Sequence, residues 1–230
     1  MSDRARAFSL TARPWRGLRW LILAPHPDDE TLGAGALIAH MAATGCLAGL
    51  VYLTDGSGSH PLPDGRAGSL IAARQREARH ALRRLAGRRT SSPFFLGWKD
   101  AAPEFVGSFA FRASCRRLAA LCARLRVDVL ATTASQEPHC DHAAAAGLAN
   151  AVRIRCHSRI AVAEYSVWGE APAARTHRVL ITPPMSPGAR RHALAAHRSQ
   201  LTTSHGTGFR LPKDKRSMLP HDLLYVRKRA

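Results

Sequence analysis

The sequence predicts an α/β domain in which helices cover both faces of a mostly parallel β-sheet, giving three layers. Two observations support this prediction. Apolar runs typical of buried strands alternate along the chain with helical patterns, and these runs are almost continuously apolar, as in strands covered on both faces. A chain of 230 residues is also long enough to bury one sizeable core.

The first predicted unit is a strand, a helix and a second strand. Residues 18–25, LRWLILAP, form an apolar run, and residues 31–45 follow with helical spacing that ends at Gly45. Residues 47–56 form the second strand, and a polar loop rich in Gly and Pro follows at 57–68. The unit therefore has the βαβ order of a parallel sheet.

The rest of the chain repeats this alternation. The predicted elements are an Arg-rich helix at 69–85, a strand at 92–98, a helix at 108–126, a strand at 127–133, a helix at 141–156, strands at 160–168 and 177–182, a helix at 187–202 and a polar tail. We expect one Rossmann-like domain over 1–230, with its core at about 18–205, an arm at 1–17 and a tail at 206–230.

The composition is strongly basic. Lys and Arg number 34 against 16 Asp and Glu, which gives a formal net charge of +18. Such a surface favours anionic partners, such as an anionic carrier or a membrane surface. The basic residues are spread over many predicted helices, so we expect no specific nucleic-acid partner. The sequence does not predict the oligomeric state.

The chain shows neither a secretory signal pattern nor an apolar stretch of bilayer length, so we expect a cytoplasmic protein. An odd number of cysteines without a C-x-x-C pair argues against a disulfide framework and a thiolate zinc site. We expect these five thiols to be reduced. They are Cys46, Cys115, Cys122, Cys140 and Cys156.

One short stretch, APHPDDE, concentrates ionisable groups directly after the first strand. Its acids fall at the start of the next helix, where any one of them could be a helix cap. The presence of His26 favours a metal site over simple helix capping, because an imidazole near a carboxylate such as Asp29 is a plausible half of a metal site. Ligands bind beyond the carboxyl ends of parallel strands, which is where this stretch lies.

A second cluster, PHCDH, follows the fourth predicted strand and contains His139, Asp141 and His142. The sheet topology places it on the same edge as His26. Together His26, Asp29 and His142 would supply three protein ligands and leave one position open, which is typical of a catalytic zinc site. The same donors also bind Fe²⁺ or Co²⁺.

PHPDDE followed about 110 residues later by PHCDH resembles the PIG-L/LmbE-like family of zinc-dependent N-deacetylases, and the resemblance covers most of the chain. It implies that His26, Asp29 and His142 hold Zn²⁺. It also implies that Asp28 is the general base that takes a proton from the attacking water.

The resemblance implies further roles in the same site. His139 would stabilise the tetrahedral oxyanion and protonate the leaving amine, with Asp141 orienting it. Arg74 and Asp100 would contact substrate, although a solvated helix face is the simpler interpretation of Arg74. Cys140 stands where a proline is common in the family, and we expect no metal coordination by its thiol.

The function implied is removal of an N-acyl group, chiefly acetyl, from an N-acetylglucosamine-like sugar on a larger conjugate, and the basic composition favours an anionic one. Two alternatives stay open. One is a zinc amidase acting on a different amide. The other is a basic protein that binds nucleic acid or a membrane surface and keeps a non-catalytic metal loop, in which case activity would be indifferent to Asp28.

Overall fold

The computed structural model describes residues 7–61, 67–88, 90–157 and 159–228. Residues 1–6 of the predicted arm, 62–66 of the polar loop and 229–230 of the tail lie outside the described residues.

Strands and helices alternate along most of the described chain. The strands are β1 (Phe8–Ser9), β2 (Trp20–Ala24), β3 (Leu47–Thr54), β4 (Phe94–Trp98), β5 (Val129–Thr133), β6 (Ala161–Tyr165), β7 (His177–Ile181) and β8 (Leu223–Arg227). The helices are α1 (Asp29–Ala43), α2 (Ala67–Ala86), α3 (Phe109–Leu125), α4 (Cys140–Arg155), α5 (Ala189–Leu194) and α6 (Arg198–Leu201), with short 3₁₀ turns at Ser57–Ser59 and Asp214–Arg216.

The eight strands form one sheet in the order β1-β7-β8-β6-β5-β2-β3-β4. Among the described residues, only the strand pairs that include β8 are antiparallel. Strand β2 lies between β3 and β5, so the chain leaves β2 towards one side and later returns on the other. Such a reversal opens a crevice at the carboxyl ends of the strands. The mostly parallel α/β fold predicted from the sequence is confirmed.

The core lies on both faces of the sheet. In β2, Trp20 and Ile22 pack on the face that α1 and α2 cover, and Leu21 and Leu23 pack on the face that α3 and α4 cover. All of β2 is buried, which explains its continuous apolar sequence. Helix α1 packs closely against Tyr165 of β6 at Gly33. A Cβ at this position would lie 2.3 Å from the Tyr165 ring, so the close contact requires glycine. These contacts fix the two ends of the loop between β2 and α1.

The ends of the chain differ from the sequence prediction. The predicted arm contributes β1, and the predicted polar tail contributes β8, which pairs between β6 and β7. The helix predicted at 187–202 is two short helices, α5 and α6, with a break between them. The strand predicted at 160–168 ends at Tyr165, so Trp168 lies in a loop.

Among the described residues, no helix combines the length and the apolar character that crossing a membrane requires.

Candidate metal centre and catalytic pocket

A pocket of about 510 Å³ opens at the carboxyl ends of the central strands. Its size falls within the range of about 300–1,000 Å³ that is usual for small-molecule sites. It is lined by His26, Asp28, Asp29, Gly58, Ser59, Arg74, Asp100, Ala101, Pro138, His139, His142, Trp168, Gln200 and Phe209. Seven of the eight site residues predicted from the sequence therefore border one pocket, and Asp141 contacts His26 behind it.

Three imidazole rings from the two predicted loops meet in this pocket. The ring centroids of His26 and His142 are 5.4 Å apart, although they lie far apart in the chain. His139 lies 4.7 Å from His26 and 5.4 Å from His142 by the same measure. The parallel topology brings them together, since the loops after β2 and β5 emerge side by side.

His26 is buried among three carboxylates. Its Nδ1 atom lies 3.1 Å from Asp29 Oδ2, and its Nε2 atom lies 2.9 Å from Asp141 Oδ2 and 3.2 Å from Asp100 Oδ1. Burial disfavours the imidazolium, but the hydrogen bonds to Asp100, Asp141 and Asp29 outweigh it and raise the pKa of His26 well above its usual value. The surrounding negative charge therefore favours a cation at this position.

His142 lies between two carboxylates in the fully buried part of the site. Its Nε2 atom is 3.2 Å from Asp29 Oδ2, and its Nδ1 atom is 3.3 Å from Glu137 Oε2. Burial lowers the pKa of His142, but the charge of Asp29 and the close contacts with the Asp29 and Glu137 carboxylates raise it to about 9. Asp29 responds in the opposite sense: burial opposes its charge, yet His142 and His26 hold its pKa well below the usual range.

The donor atoms fit a divalent metal ion. Both Nε2 and Nδ1 of His142 are buried and make no hydrogen bond of regular geometry within the described chain. Asp29 Oδ2 lies 3.1 Å from the ring atom His26 Nδ1 and 3.2 Å from His142 Nε2. Neighbouring ligand atoms of a tetrahedral zinc are about 3.3 Å apart when the bonds are about 2.0–2.1 Å long.

The described residues offer more donors than one tetrahedral ion needs. Two groups have ligand atoms within 4.8 Å of one another: His26 with His139 and His142, and His26 with Asp100, His139 and Asp141. Assignment of His26, Asp29 and His142 as the ligands therefore stays a prediction. Neither group includes Cys140, which is exposed. Partial desolvation and the charge of Asp141 raise the pKa of its thiol.

Asp28 occupies a strained backbone position, with φ of 140°, at the start of α1. Glu30 Oε2 accepts the Asp28 backbone N–H at 2.9 Å and so holds this conformation. Burial raises the pKa of Asp28 to about 7, with Asp29 adding to the effect and Arg74 opposing it. A carboxyl group with this pKa can both take and release a proton near neutral pH.

Arg74 is buried, in contrast to the solvated face that is the simpler interpretation of its helix. Its guanidinium donates to the carbonyl of Gly56 at 2.9 Å and to that of Pro27 at 2.8 Å. It also lies 3.7 Å from Asp28 and 3.6 Å from Asp100. Gly56 has φ of 71°, and a Cβ there would lie 2.8 Å from the Arg74 guanidinium. Arg74 therefore ties two site loops together and faces two acids.

His139 and Asp141 are arranged differently from the pairing that the family resemblance implies. The Asp141 carboxylate is 2.9 Å from His26 but 3.9 Å from His139 Nδ1. The Asp141 backbone N–H instead donates to His139 Nδ1 at 3.2 Å. Neutral His139 therefore carries its proton on Nε2. Burial and the charge of His26 lower the pKa of His139.

Two buried contacts of the site have no counterpart in the sequence analysis. Glu137 faces His142, and His197 of the α5–α6 break contacts Glu30 at 3.0 Å. Glu137 stands two residues before His139, and this position beside the second cluster could have indicated that it belongs to the site. The residues around His197 also resemble the family, but the sequence assigned His197 no role, because its partner lies 167 residues away in the chain.

Comparison with known proteins connects this site to a family. A family model described as PIG-L, GlcNAc-PI de-N-acetylase, matches residues 21–152, a span that includes both site loops. No curated protein matches the chain.

Several solved structures are similar over most of the chain. The conserved protein TT1542 from Thermus thermophilus is 25% identical, with 81% of each chain covered and a TM-score of 0.55. N,N'-diacetylchitobiose deacetylase from Pyrococcus horikoshii is 20% identical over 80% of this chain and 71% of that chain, with a TM-score of 0.55. The A40926 pseudoaglycone deacetylase Dbv21 is 16% identical over 92% of this chain and 98% of that chain, with a TM-score of 0.65. The last two likenesses establish a shared fold.

Proposed function

The chain belongs to the PIG-L family, described as GlcNAc-PI de-N-acetylase, and on that premise we propose that it is a metal-dependent N-deacetylase. The proposed substrate is an N-acetylglucosamine-like amino sugar carried on a larger, anionic conjugate. The observation that carries this proposal is the position of Asp28, a buried carboxylate beside the histidine and aspartate donors of one pocket.

His26, Asp29 and His142 would hold the metal ion, with Zn²⁺ the first choice and Fe²⁺ or Co²⁺ possible. A divalent ion in this position would act as a Lewis acid on the amide carbonyl and make water more acidic. The buried carboxylates around His26 support the proposal because they concentrate negative charge where a cation would bind.

Asp28 is proposed to take a proton from the attacking water. Its pKa of about 7 suits this transfer, since a general base works best near the operating pH. Arg74 lies 3.7 Å from the carboxylate and favours its charged form. Glu30 accepts the backbone N–H of Asp28, and this contact would pre-organise the carboxylate at the pocket that it borders.

His139 is proposed to face the developing oxyanion. Its Nδ1 accepts the Asp141 backbone N–H, so the proton on Nε2 is available to the tetrahedral oxygen. The proton that Asp28 has taken from water would then pass to the leaving amine and complete cleavage of the C–N bond. Asp100 contacts His26, Arg74 and the Gly58 backbone N–H, so we assign it to the substrate side of the metal centre.

Two features support a sugar on an anionic carrier. The solved structures with similar folds include two named as deacetylases, one of N,N'-diacetylchitobiose and one of A40926 pseudoaglycone. The net charge of +18 favours anionic molecules, and Lys215 Nζ lies 5.7 Å from the Trp168 ring at the pocket wall.

Metal analysis of the purified protein, coupled to an acetate-release screen over acetylated amino sugars, tests this proposal. The panel would contain free sugars and sugars joined to neutral or phosphorylated carriers. We expect metal-dependent acetate release, strongest with an anionic carrier at low salt. Release from another amide class alone would favour the amidase alternative. Binding of anionic polymers with no hydrolysis of any amide would favour the non-catalytic alternative.

A further inference from the structure

Glu137 connects the candidate metal centre with the aromatic wall of the pocket. We propose that Glu137 is a positioning residue that sets His142 for metal binding and, through the same carboxylate, holds the loop that presents Trp168 to substrate. The inference rests on the proposed function, because it takes His142 as a metal ligand. It adds a role for a residue outside the acid, base and ligand set described above.

The loop side of this connection consists of backbone hydrogen bonds. Glu137 Oε1 accepts the N–H of Val167 at 2.7 Å and that of Gly169 at 3.2 Å, and Oε2 accepts the N–H of Trp168 at 2.9 Å. Three successive amides thus converge on one buried carboxylate. The loop also packs tightly, since a Cβ at Gly169 would lie 3.1 Å from Pro138. Glu137 therefore holds the backbone at Trp168 in place.

The metal side consists of the contact between Glu137 Oε2 and His142 Nδ1, at 3.3 Å in a fully buried environment. A carboxylate can only accept, so it favours the proton of a neutral His142 on Nδ1 and leaves the lone pair on Nε2. Nε2 is the atom that lies 3.2 Å from Asp29. A carboxylate behind a ligating histidine typically fixes its tautomer and strengthens metal binding.

The contact with His142 and the hydrogen bonds from the Trp168 loop use the same Glu137 carboxylate. A change in that carboxylate therefore affects both. Burial opposes the charge of Glu137, but His142 and the three backbone N–H groups hold its pKa below the usual range. Trp168 borders the pocket beside Phe209, with ring centroids 6.0 Å apart in an edge-to-face arrangement. An aromatic pair at the wall suits the apolar face of a sugar ring or of an aglycone. Metal affinity and substrate affinity should therefore both depend on Glu137.

Glu137→Gln tests the proposal because it keeps the side-chain size while replacing one acceptor oxygen with an N–H donor. A donor facing Nδ1 would favour the tautomer with the proton on Nε2, where it blocks the metal. We expect Zn²⁺ affinity, measured by competition with a chromophoric chelator, to fall by about 10–100-fold. We also expect KM to rise several-fold, because the turn loses an acceptor for its backbone amides.

Two control variants separate the effect on metal binding from the effect on substrate binding. Gln136→Ala removes a hydrogen bond from the neighbouring side chain to the Glu170 carbonyl and makes no change at His142, so Zn²⁺ affinity should match wild type. Trp168→Ala should raise KM and leave Zn²⁺ affinity unchanged. If folded Glu137→Gln binds Zn²⁺ within twofold of wild type, Glu137 has no positioning role at the metal centre. If its KM is unchanged, the connection to the wall is wrong.

A measurement on the unaltered protein covers the case in which Glu137→Gln does not fold. Long-range ¹H–¹⁵N correlation spectra of the Zn²⁺-loaded protein should show His142 bound through Nε2 with a proton on Nδ1. Binding through Nδ1 would overturn the proposal. The metal measurements need no substrate, so they stand or fall separately from the deacetylase activity.

Discussion

Glu30 and His197 form a fully buried pair in which Glu30 Oε1 lies 3.0 Å from His197 Nε2. The other carboxylate oxygen of Glu30 accepts the backbone N–H of Asp28, so this pair lies directly behind the candidate base. Burial opposes both charges, but each partner favours the charge of the other: the pKa of Glu30 is lowered and that of His197 is raised. The break between α5 and α6 thereby supports the first turn of α1.

The Glu30–His197 pair should make stability depend on pH. Since the pKa of His197 in the folded protein lies above its ordinary value of 6.5, its contribution is full below about pH 6.5 and is lost as pH rises through the folded pKa. His197→Gln should destabilise the protein by about 3 kcal/mol at pH 6 and by less at pH 9. Urea unfolding at several pH values, with a chelator present, measures this difference.

His192→Gln is the matched control, because His192 is exposed on α5. It should reproduce the pH dependence of wild type. Equal destabilisation by His197→Gln at pH 6 and pH 9 would show that His197 is not charged in the folded protein.

Asp28→Asn should separate metal binding from turnover. The amide keeps the shape of the side chain but cannot accept the proton of water, so we expect turnover to fall by about 10²–10⁴-fold while stoichiometric Zn²⁺ is retained. His142→Ala should lose both the metal and the activity. Metal analysis and acetate release on the same preparations test both expectations, and full activity in Asp28→Asn would exclude Asp28 as the base.

Arg74 should set the pH at which Asp28 becomes active. The Arg74 guanidinium opposes the rise in the pKa of Asp28, so Arg74→Gln should raise that pKa further. Because a base must be unprotonated to act, the acidic limb of kcat/KM should move to higher pH, by about one unit. Profiles of kcat/KM against pH measure the displacement.

Arg74→Lys provides the comparison, because it keeps the positive charge but cannot donate to both Gly56 and Pro27 as the guanidinium does. The acidic limb of kcat/KM should move to higher pH by less in Arg74→Lys than in Arg74→Gln. An unmoved limb in the Gln variant would show that another group governs the acidic side of the profile.

Asp222 and Arg190 should anchor α1 at a distance from the pocket. Asp222 pairs with the Arg190 guanidinium and accepts the backbone N–H of Leu37 at 2.8 Å, while Arg190 also donates to the Leu32 carbonyl at 3.0 Å. Asp222→Asn leaves a buried guanidinium without its counter-charge, so we expect a loss of about 3–5 kcal/mol in the free energy of unfolding. Urea unfolding of the metal-free protein measures this loss.

The exposed Asp214 is the control for this measurement. Asp214→Asn should change stability by less than about 0.5 kcal/mol. A similar small effect at Asp222 would mean that the pair contributes no net stability in its buried position.

The sequence by itself predicted the central strands and the two loops of the site, because those signals are local. Continuous apolar runs mark buried parallel strands, and the residues of each predicted half-site lie within a few positions of one another. The parallel order then placed both loops at one edge of the sheet, as the rings of His26 and His142 show. The domain boundaries and the roles of the site residues stay predictions.

Only the tertiary structure decided which groups are buried and what they face. Arg74 belongs to an Arg-rich helix whose local pattern favours a solvated face, yet it is 2% exposed. His197, Glu137 and the strand β8 likewise depend on partners far away in the chain or in a separate loop. Burial and long-range pairing set the pKa values of this site, and no local pattern of residues encodes them.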